Sequence, residues 1–122
     1  MSVVKLTITF SLFLFISSQG FAEDALTKTV EAVHLEKTQL KGKQVSVKGK
    51  VTKVNNGIMK RNFLHVQDGS GEKDTNDLIV TSSETASVGD QVIITGTVVL
   101  DTDFGFGYKY PLLVEKSSIK VQ

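Results

Sequence analysis

Apolar and polar residues change rhythm twice along this chain, and each stretch predicts a different kind of structure. The first is continuously apolar: Leu6 to Ile16 reads LTITFSLFLFI, with Lys5 before it and Gly20-Phe21-Ala22 after it. A positive start, an apolar run of this length and a small-x-small ending are the pattern of a cleavable secretory leader, so residues 1–22 are expected to be a signal peptide cut after Ala22. The run is too short to span a membrane, which takes about 20 apolar residues. Over residues 23–40 the rhythm becomes helical. Leu26, Val30 and Val33 fall at i, i+4 and i+7, and Asp24 is placed to cap, which predicts a short docking helix from Asp24 to Lys37.

After Leu40 the period drops to two. Val45, Val47 and Val51 alternate with Ser46, Lys48, Lys50 and Thr52, which predicts a half-buried strand that bends at Gly49. Asn55-Asn56-Gly57 predicts the turn that follows. A second strand is expected over Arg61–Gln67, with Leu64 and Val66 on one face and Phe63, His65 and Gln67 on the other. Asp68-Gly69-Ser70-Gly71 turns the chain toward a third strand, Leu78–Ser82. Val88-Gly89-Asp90 then leads into a fourth, Gln91–Leu100, with Val92, Ile94 and Val98 inward and Gly96 where neighbours need room. The last strand is expected to begin in the run Asp101–Tyr110, where an extended chain would set Phe104, Phe106, Tyr108 and Tyr110 on one face, and to finish at Leu112, Leu113 and Val114. Five short strands with glycine-marked bends predict an all-β fold closed into a small barrel, because an open sheet would leave its edges unpaired. A Greek-key barrel and an SH3-like barrel would share this string.

Charge and composition narrow the chemistry. The 14 Lys and Arg residues against 13 Asp and Glu give +1, and loss of Lys5 with the leader brings the remainder to neutrality. A neutral domain is a poor non-specific polyanion binder, yet the cations are unevenly placed. Lys41, Lys43, Lys48, Lys50, Lys53, Lys60 and Arg61 occupy a stretch without an acid, whereas Asp68 to Asp103 is acidic. The absence of cysteine excludes thiolate zinc sites and a lipid-anchored cysteine. His34, His65 and Met59 are the remaining soft or imidazole ligands, and single histidines on separate elements ordinarily serve surface or core, so no metal is expected. The acidic loops lack calcium-loop spacing. No carboxylate pair or nucleophile–base set has a recognisable spacing either, so the chain reads as non-enzymatic, without catalytic residues or cofactor.

Three segments then acquire a joint meaning: Lys41–Val51, Phe63–Gly71 and Val88–Val98 resemble, in order and spacing, the OB-fold domains of the tRNA-anticodon-binding type. Val54–Asn62, Thr75–Leu78 and Asp101–Pro111 are similar to a set of small exported bacterial OB proteins, some with names that tie them to c-type cytochrome or nitrite-reductase operons. The resemblance implies a five-stranded Greek-key OB-fold barrel over residues 41–122. In anticodon-binding relatives an aromatic residue of the second strand stacks on a base, and Phe63 stands at the matching position; Lys60 and Arg61 match the phosphate-contacting residues. OB barrels bind on the face flanked by the first-to-second and fourth-to-fifth strand loops. Met59, Lys60, Arg61, Phe63, His65, Phe104 and Phe106 are therefore the candidate ligand-binding residues, with Phe63 open to solvent, whereas Tyr108 and Tyr110 are expected to fill the barrel. The function expected is a periplasmic binding module for single-stranded nucleic acid or a nucleotide-like ligand. The alternative is a protein-interaction module of an envelope or respiratory complex.

Overall fold

The computed structural model describes residues 24–122, so the leader reading lies outside the described residues. In chain order the elements are β1 (Leu26–Thr27), α1 (Val30–Leu35), α2 (Lys37–Leu40), β2 (Gln44–Ile58), β3 (Arg61–Gln67), β4 (Leu78–Ser82), β5 (Gln91–Asp103) and β6 (Lys109–Val121). Among the described residues the fold is all-β apart from the two short helices. Its strands form one six-stranded sheet in the order β1-β2-β3-β4-β6-β5, and β5 also pairs with β2. The strand unforeseen in the sequence is β1, whose two residues run parallel to Val45 and Ser46 of β2.

Alternation decides the faces. Val45, Val47, Gly49 and Val51 of β2 are buried while Lys48 and Lys50 are exposed. Val92, Ile94 and Val98 of β5 face the same interior, and Val30, Val33 and Leu40 close it from the helical segment. The first half of β2 pairs with β5, Gln44 to Lys50 against Thr97 to Gln91, and the second half with β3. Gly49 and Gly96 sit where the sheet crowds itself. A Cβ on Gly49 would lie 2.8 Å from the Gln67 carbonyl oxygen, and one on Gly96 would lie 2.8 Å from that of Glu115.

The helical expectation needs correcting. Asp24 caps nothing described, Leu26 lies 43% exposed in β1, and the helix starts only at Val30. Thr29 is its N-cap, with Oγ1 accepting from the Ala32 N–H at 3.0 Å. Two further acceptors come from far along the chain: Asp68 Oδ2 takes the Val30 N–H, and Ser70 Oγ takes the Glu31 N–H, each at 3.0 Å. A helix of six residues has too little internal hydrogen bonding to persist alone, so its register is set by this loop and by the burial of Val30 and Val33.

The first hairpin also differs from the expectation. Asn55-Asn56-Gly57 stays within β2, where the register shifts between Asn55 and Ile58, and Gly57 supplies a left-handed residue (φ 74°) at that bulge. The reversal falls two residues later, on Met59 and Lys60, whose φ values of 52° and 65° are those of a type I′ turn. Asn62 holds the geometry from beside it. Its Oδ1 accepts from the Gly57 N–H at 2.9 Å and its Nδ2 donates to the Glu84 carbonyl at 3.0 Å.

Candidate functional site

Odd-numbered residues of β3 point away from the main core, as the alternation predicts, and that face is where the candidate residues gather. Phe63 is on it, but it is only 3% exposed, so the expectation of an open stacking surface is corrected. The cover comes from the connection between β5 and β6. Phe104 meets the Phe63 ring edge-on at 5.9 Å between centroids, and Tyr110 stacks on it at 5.4 Å with 30° between planes. Phe104 and Tyr110 close the triangle at 6.0 Å. Each such pair adds about 0.5–1.5 kcal/mol beyond the area it buries, which makes this trio a second, smaller apolar cluster.

The cover exists because Asp101–Tyr110 is not one continuous strand. β5 ends at Asp103 and β6 begins at Lys109, and the residues between them fold into a tight turn. Phe104 donates its N–H to the Tyr108 carbonyl at 2.8 Å, and Tyr108 returns one to Gly105 at 2.9 Å. Gly105, Phe106 and Gly107 all have left-handed φ, at 86°, 55° and 86°. The four rings therefore do not share a face. Phe104 and Tyr110 turn inward onto Phe63, Tyr108 stays 40% exposed, and Phe106 stands 96% exposed at the tip. Tyr108 does not pack inside as expected, and Tyr110 packs in the smaller cluster on Phe63 and not in the main core.

Arg61 joins the two loops. Its guanidinium carbon lies 4.6 Å above the Phe104 ring, its Nη1 donates to the Met59 carbonyl at 3.2 Å, and its Nε lies 3.4 Å from Glu115 Oε1. The Met59–Lys60 turn and the Phe104–Tyr108 turn are thus brought to one end of the molecule. Two clefts open there. One, of about 200 Å³, is lined by Asn55, Ile58, Phe63, Tyr108 and Tyr110. The other, of about 230 Å³, includes Lys60, Arg61, Ser83 and Lys116. Tyr108, read as a residue of the flanking loop but expected to pack inside the barrel, lines the first cleft, and Lys116, which no local signal marks within the last strand, is a lining residue that the sequence reading missed.

His65 is separated from this end. It donates through Nδ1 to Asp77 Oδ2 at 2.6 Å, and Gln67 Nε2 donates to the other carboxylate oxygen at 3.2 Å. His34 reaches the same residue from α1, donating through Nε2 to the Asp77 backbone carbonyl at 2.6 Å. Both histidines therefore serve the junction between α1, β3 and the loop before β4. Of the seven candidates, the structure brings Met59, Lys60, Arg61, Phe63 and Phe104 together, projects Phe106 outward and assigns His65 to another cluster.

The fold shifts the protonation of Asp68. Burial pushes its carboxyl up, but hydrogen bonds from the Ser70 side chain and from the Val30 and Ser70 backbone outweigh that, holding it below the usual carboxylate value. Its work is structural, the anchoring of α1 to the loop after β3.

No described protein family matches the chain, and no curated protein is similar to it in sequence. Solved structures are similar in fold. A protein described as an aspartyl-tRNA synthetase from Leishmania major Friedlin superposes with a TM-score of 0.57 at 12% identity, over 88% of this chain and 23% of that one. This chain thus spans about a quarter of that protein. A chain of the structure of OBody AM3L09 bound to hen egg-white lysozyme superposes with a TM-score of 0.50 at 19% identity, over 68% of this chain and 84% of that one. At these identities the likeness concerns the fold alone, an all-β arrangement shared with part of a tRNA synthetase.

Proposed function

We propose that this chain is a non-enzymatic OB-type binding module, exported to the periplasm, that takes a single-stranded nucleic acid or a nucleotide-like ligand at the end where the two loops meet. The sheet order supports the barrel. Strands β5-β2-β3-β4 lie side by side as fourth, first, second and third, which is the Greek-key order, and β6 links β4 to β5 to complete a ring of pairings. In such a barrel the Met59–Lys60 and Phe104–Tyr108 turns are the loops that flank an OB binding face. The likeness to part of a tRNA synthetase fits the same reading.

The observation that carries the ligand class is the pairing of exposed rings with cations at one end: Phe106 and Tyr108 on one loop, Lys60 and Arg61 on the other. Rings of this kind stack on bases of any sequence, and cations meet the phosphates between them. With Phe63 covered, stacking passes to Tyr108 and Phe106. The test is a titration of labelled single-stranded oligonucleotides at about 50 and 200 mM salt. Affinity should fall steeply with salt, and Tyr108→Ala or Phe106→Ala should each weaken it by about 1–3 kcal/mol. Absence of binding at the lower salt would end the nucleic-acid reading. Export is tested separately, by sequencing the N-terminus of the protein recovered from cells; a start at Glu23 is expected.

A second reading is favoured by Phe106 alone. A phenyl ring 96% exposed on a turn of three left-handed residues has the form of an anchor for a pocket on a protein partner. Under that reading the module serves an envelope or respiratory assembly. Binding to an envelope protein would then survive high salt and be lost in Phe106→Ala.

A further inference from the structure

The pairing between β4 and β6 is brief: they share one register position, Val80 opposite Val114. Beyond it the backbone ladder stops, Thr81 and Ser82 reach Glu115 and Ser117 through their side chains, and beside this junction lies a cleft of about 230 Å³ lined by Lys60, Arg61, Ser82, Ser83, Lys116 and Ser117. At about 30 Å³ for each water, that is room for several waters or for one hydrated tetrahedral anion. We propose that this seam is a phosphate-class oxyanion site, in which Lys60, Arg61 and Lys116 meet the charge. The site stands on its own geometry; only the identity of the molecule that carries the phosphate rests on the function proposed above.

Charge is the first support. Three cations line the cleft; of the two acids beside it, Glu84 is turned to a backbone donor, and Glu115 is shared between Thr81 and Arg61 itself. Glu115 Oε1 accepts from Thr81 Oγ1 at 3.2 Å and faces Arg61 Nε, while Glu84 Oε1 accepts from the Ile119 N–H at 2.6 Å. The floor is polar and its protons are committed. Ser82 Oγ donates to the Ser117 carbonyl and Ser117 Oγ to the Val114 carbonyl, both hydroxyls being buried. The groups left to face an anion are the two ammonium groups, the guanidinium held over Phe104, and Ser83 at the rim. A set of three cations suits a phosphate, with its multiple oxygens and up to two charges, better than a single carboxylate.

Backbone strain is the second support. Five described residues other than glycine have left-handed φ, and two of them are the lysines of this cleft, Lys60 at 65° and Lys116 at 53°. Glycine would be at ease at either place, and a lysine there is held against its own preference. Strain of this kind collects where a side chain is needed for binding.

The experiment is a heteronuclear NMR titration of the protein with inorganic phosphate at low ionic strength, with nucleoside 5′-monophosphate and a short single-stranded oligonucleotide as further arms. Saturable shifts at Lys60, Arg61, Ser83 and Lys116 are expected in the millimolar range. Lys60→Gly and Lys116→Gly should each lower phosphate affinity at least fivefold while raising Tm, an opposition that a purely structural role for the lysines does not produce. Lys60→Gln and Lys116→Gln, which keep the backbone as it is, should show the same loss of affinity without the rise in Tm. Shifts that do not saturate, or glutamine variants with unchanged affinity, overturn the site. If phosphate binds here and the oligonucleotide neither binds nor competes, the site stands and the nucleic-acid reading falls. If the oligonucleotide binds and phosphate affinity is the same in the lysine variants as in the parent, that reading stands and this site falls.

Discussion

At the scale of single residues, Asp68 and Gly96 show what position demands of chemistry. Asp68 caps a helix from across the molecule, so Asp68→Ala should destabilise the fold by about 0.5–2 kcal/mol, measured by urea unfolding. Its carboxyl is held below the usual value in the folded state, so the unfolded chain binds the proton more readily. Its contribution is therefore complete above the unfolded carboxylate pKa and lost as pH falls through the folded one. Asp68→Asn should flatten the acid side of the stability profile, and an unchanged slope would refute the linkage. Gly96 lacks a side chain because the Glu115 backbone and the buried Ser117 hydroxyl occupy the place of one. Gly96→Ala should cost about 1–3 kcal/mol by overpacking. The crowding at Gly96 was legible in the sequence, because a glycine that interrupts an inward alternation of valine and isoleucine marks a place where another backbone comes close. The role of Asp68 was hidden, since its partner lies in an element about forty residues earlier.

Whole elements were legible to the extent that their own periodicity decided them. β3 and β4 have the limits expected, Arg61–Gln67 and Leu78–Ser82, because each is a short alternating run between strong turn signals. α1 did not, since a cap contributed by a distant loop and the pairing of β1 with β2 override a helical stripe that began at Leu26. The Met59–Lys60 turn escaped for a related reason. Two non-glycine residues with positive φ are a poor wager from sequence, and the Asn62 side chain that steadies them acts from the following strand. The candidate site was half legible: the alternation placed Phe63 on the outer face, but nothing in it foretold that the β5–β6 hairpin would fold two rings over it. Phe63→Ala is accordingly a stability variant, expected to cost about 3–5 kcal/mol, whereas Phe106→Ala should stay within about 0.5 kcal/mol of the parent in the same denaturation assay. Equal effects in the two variants would contradict the division between covered and projecting rings.

For the molecule as a whole, the decisive contacts are distant in sequence. β2 pairs with β5 across the intervening β3 and β4, and β6 completes the ring between β4 and β5, so long stretches of chain must be ordered before that closure is rewarded. Refolding should therefore fall in the millisecond-to-second range of other non-local β folds, read by stopped-flow fluorescence of Tyr108 and Tyr110. A microsecond phase accounting for the whole amplitude would argue against ring closure as the slow event. The same long-range pairing explains why composition said little about ligand. Net charge averages over the chain, whereas the fold assembles Lys60, Arg61 and Lys116 from the first hairpin and the last strand at one seam.

The projecting turn around Phe106 has one more implication, for the chain as a covalent object. A protease that prefers aromatic residues would meet that bond first, and the cut would release no fragment, because everything beyond it is β6. That strand is fastened to β5 along nearly its entire length and to β4 at Val114. The nicked protein would persist as two pieces in one shape. A synthetic copy of its last segment, Tyr108 to Gln122, should then be able to restore a truncated molecule from outside.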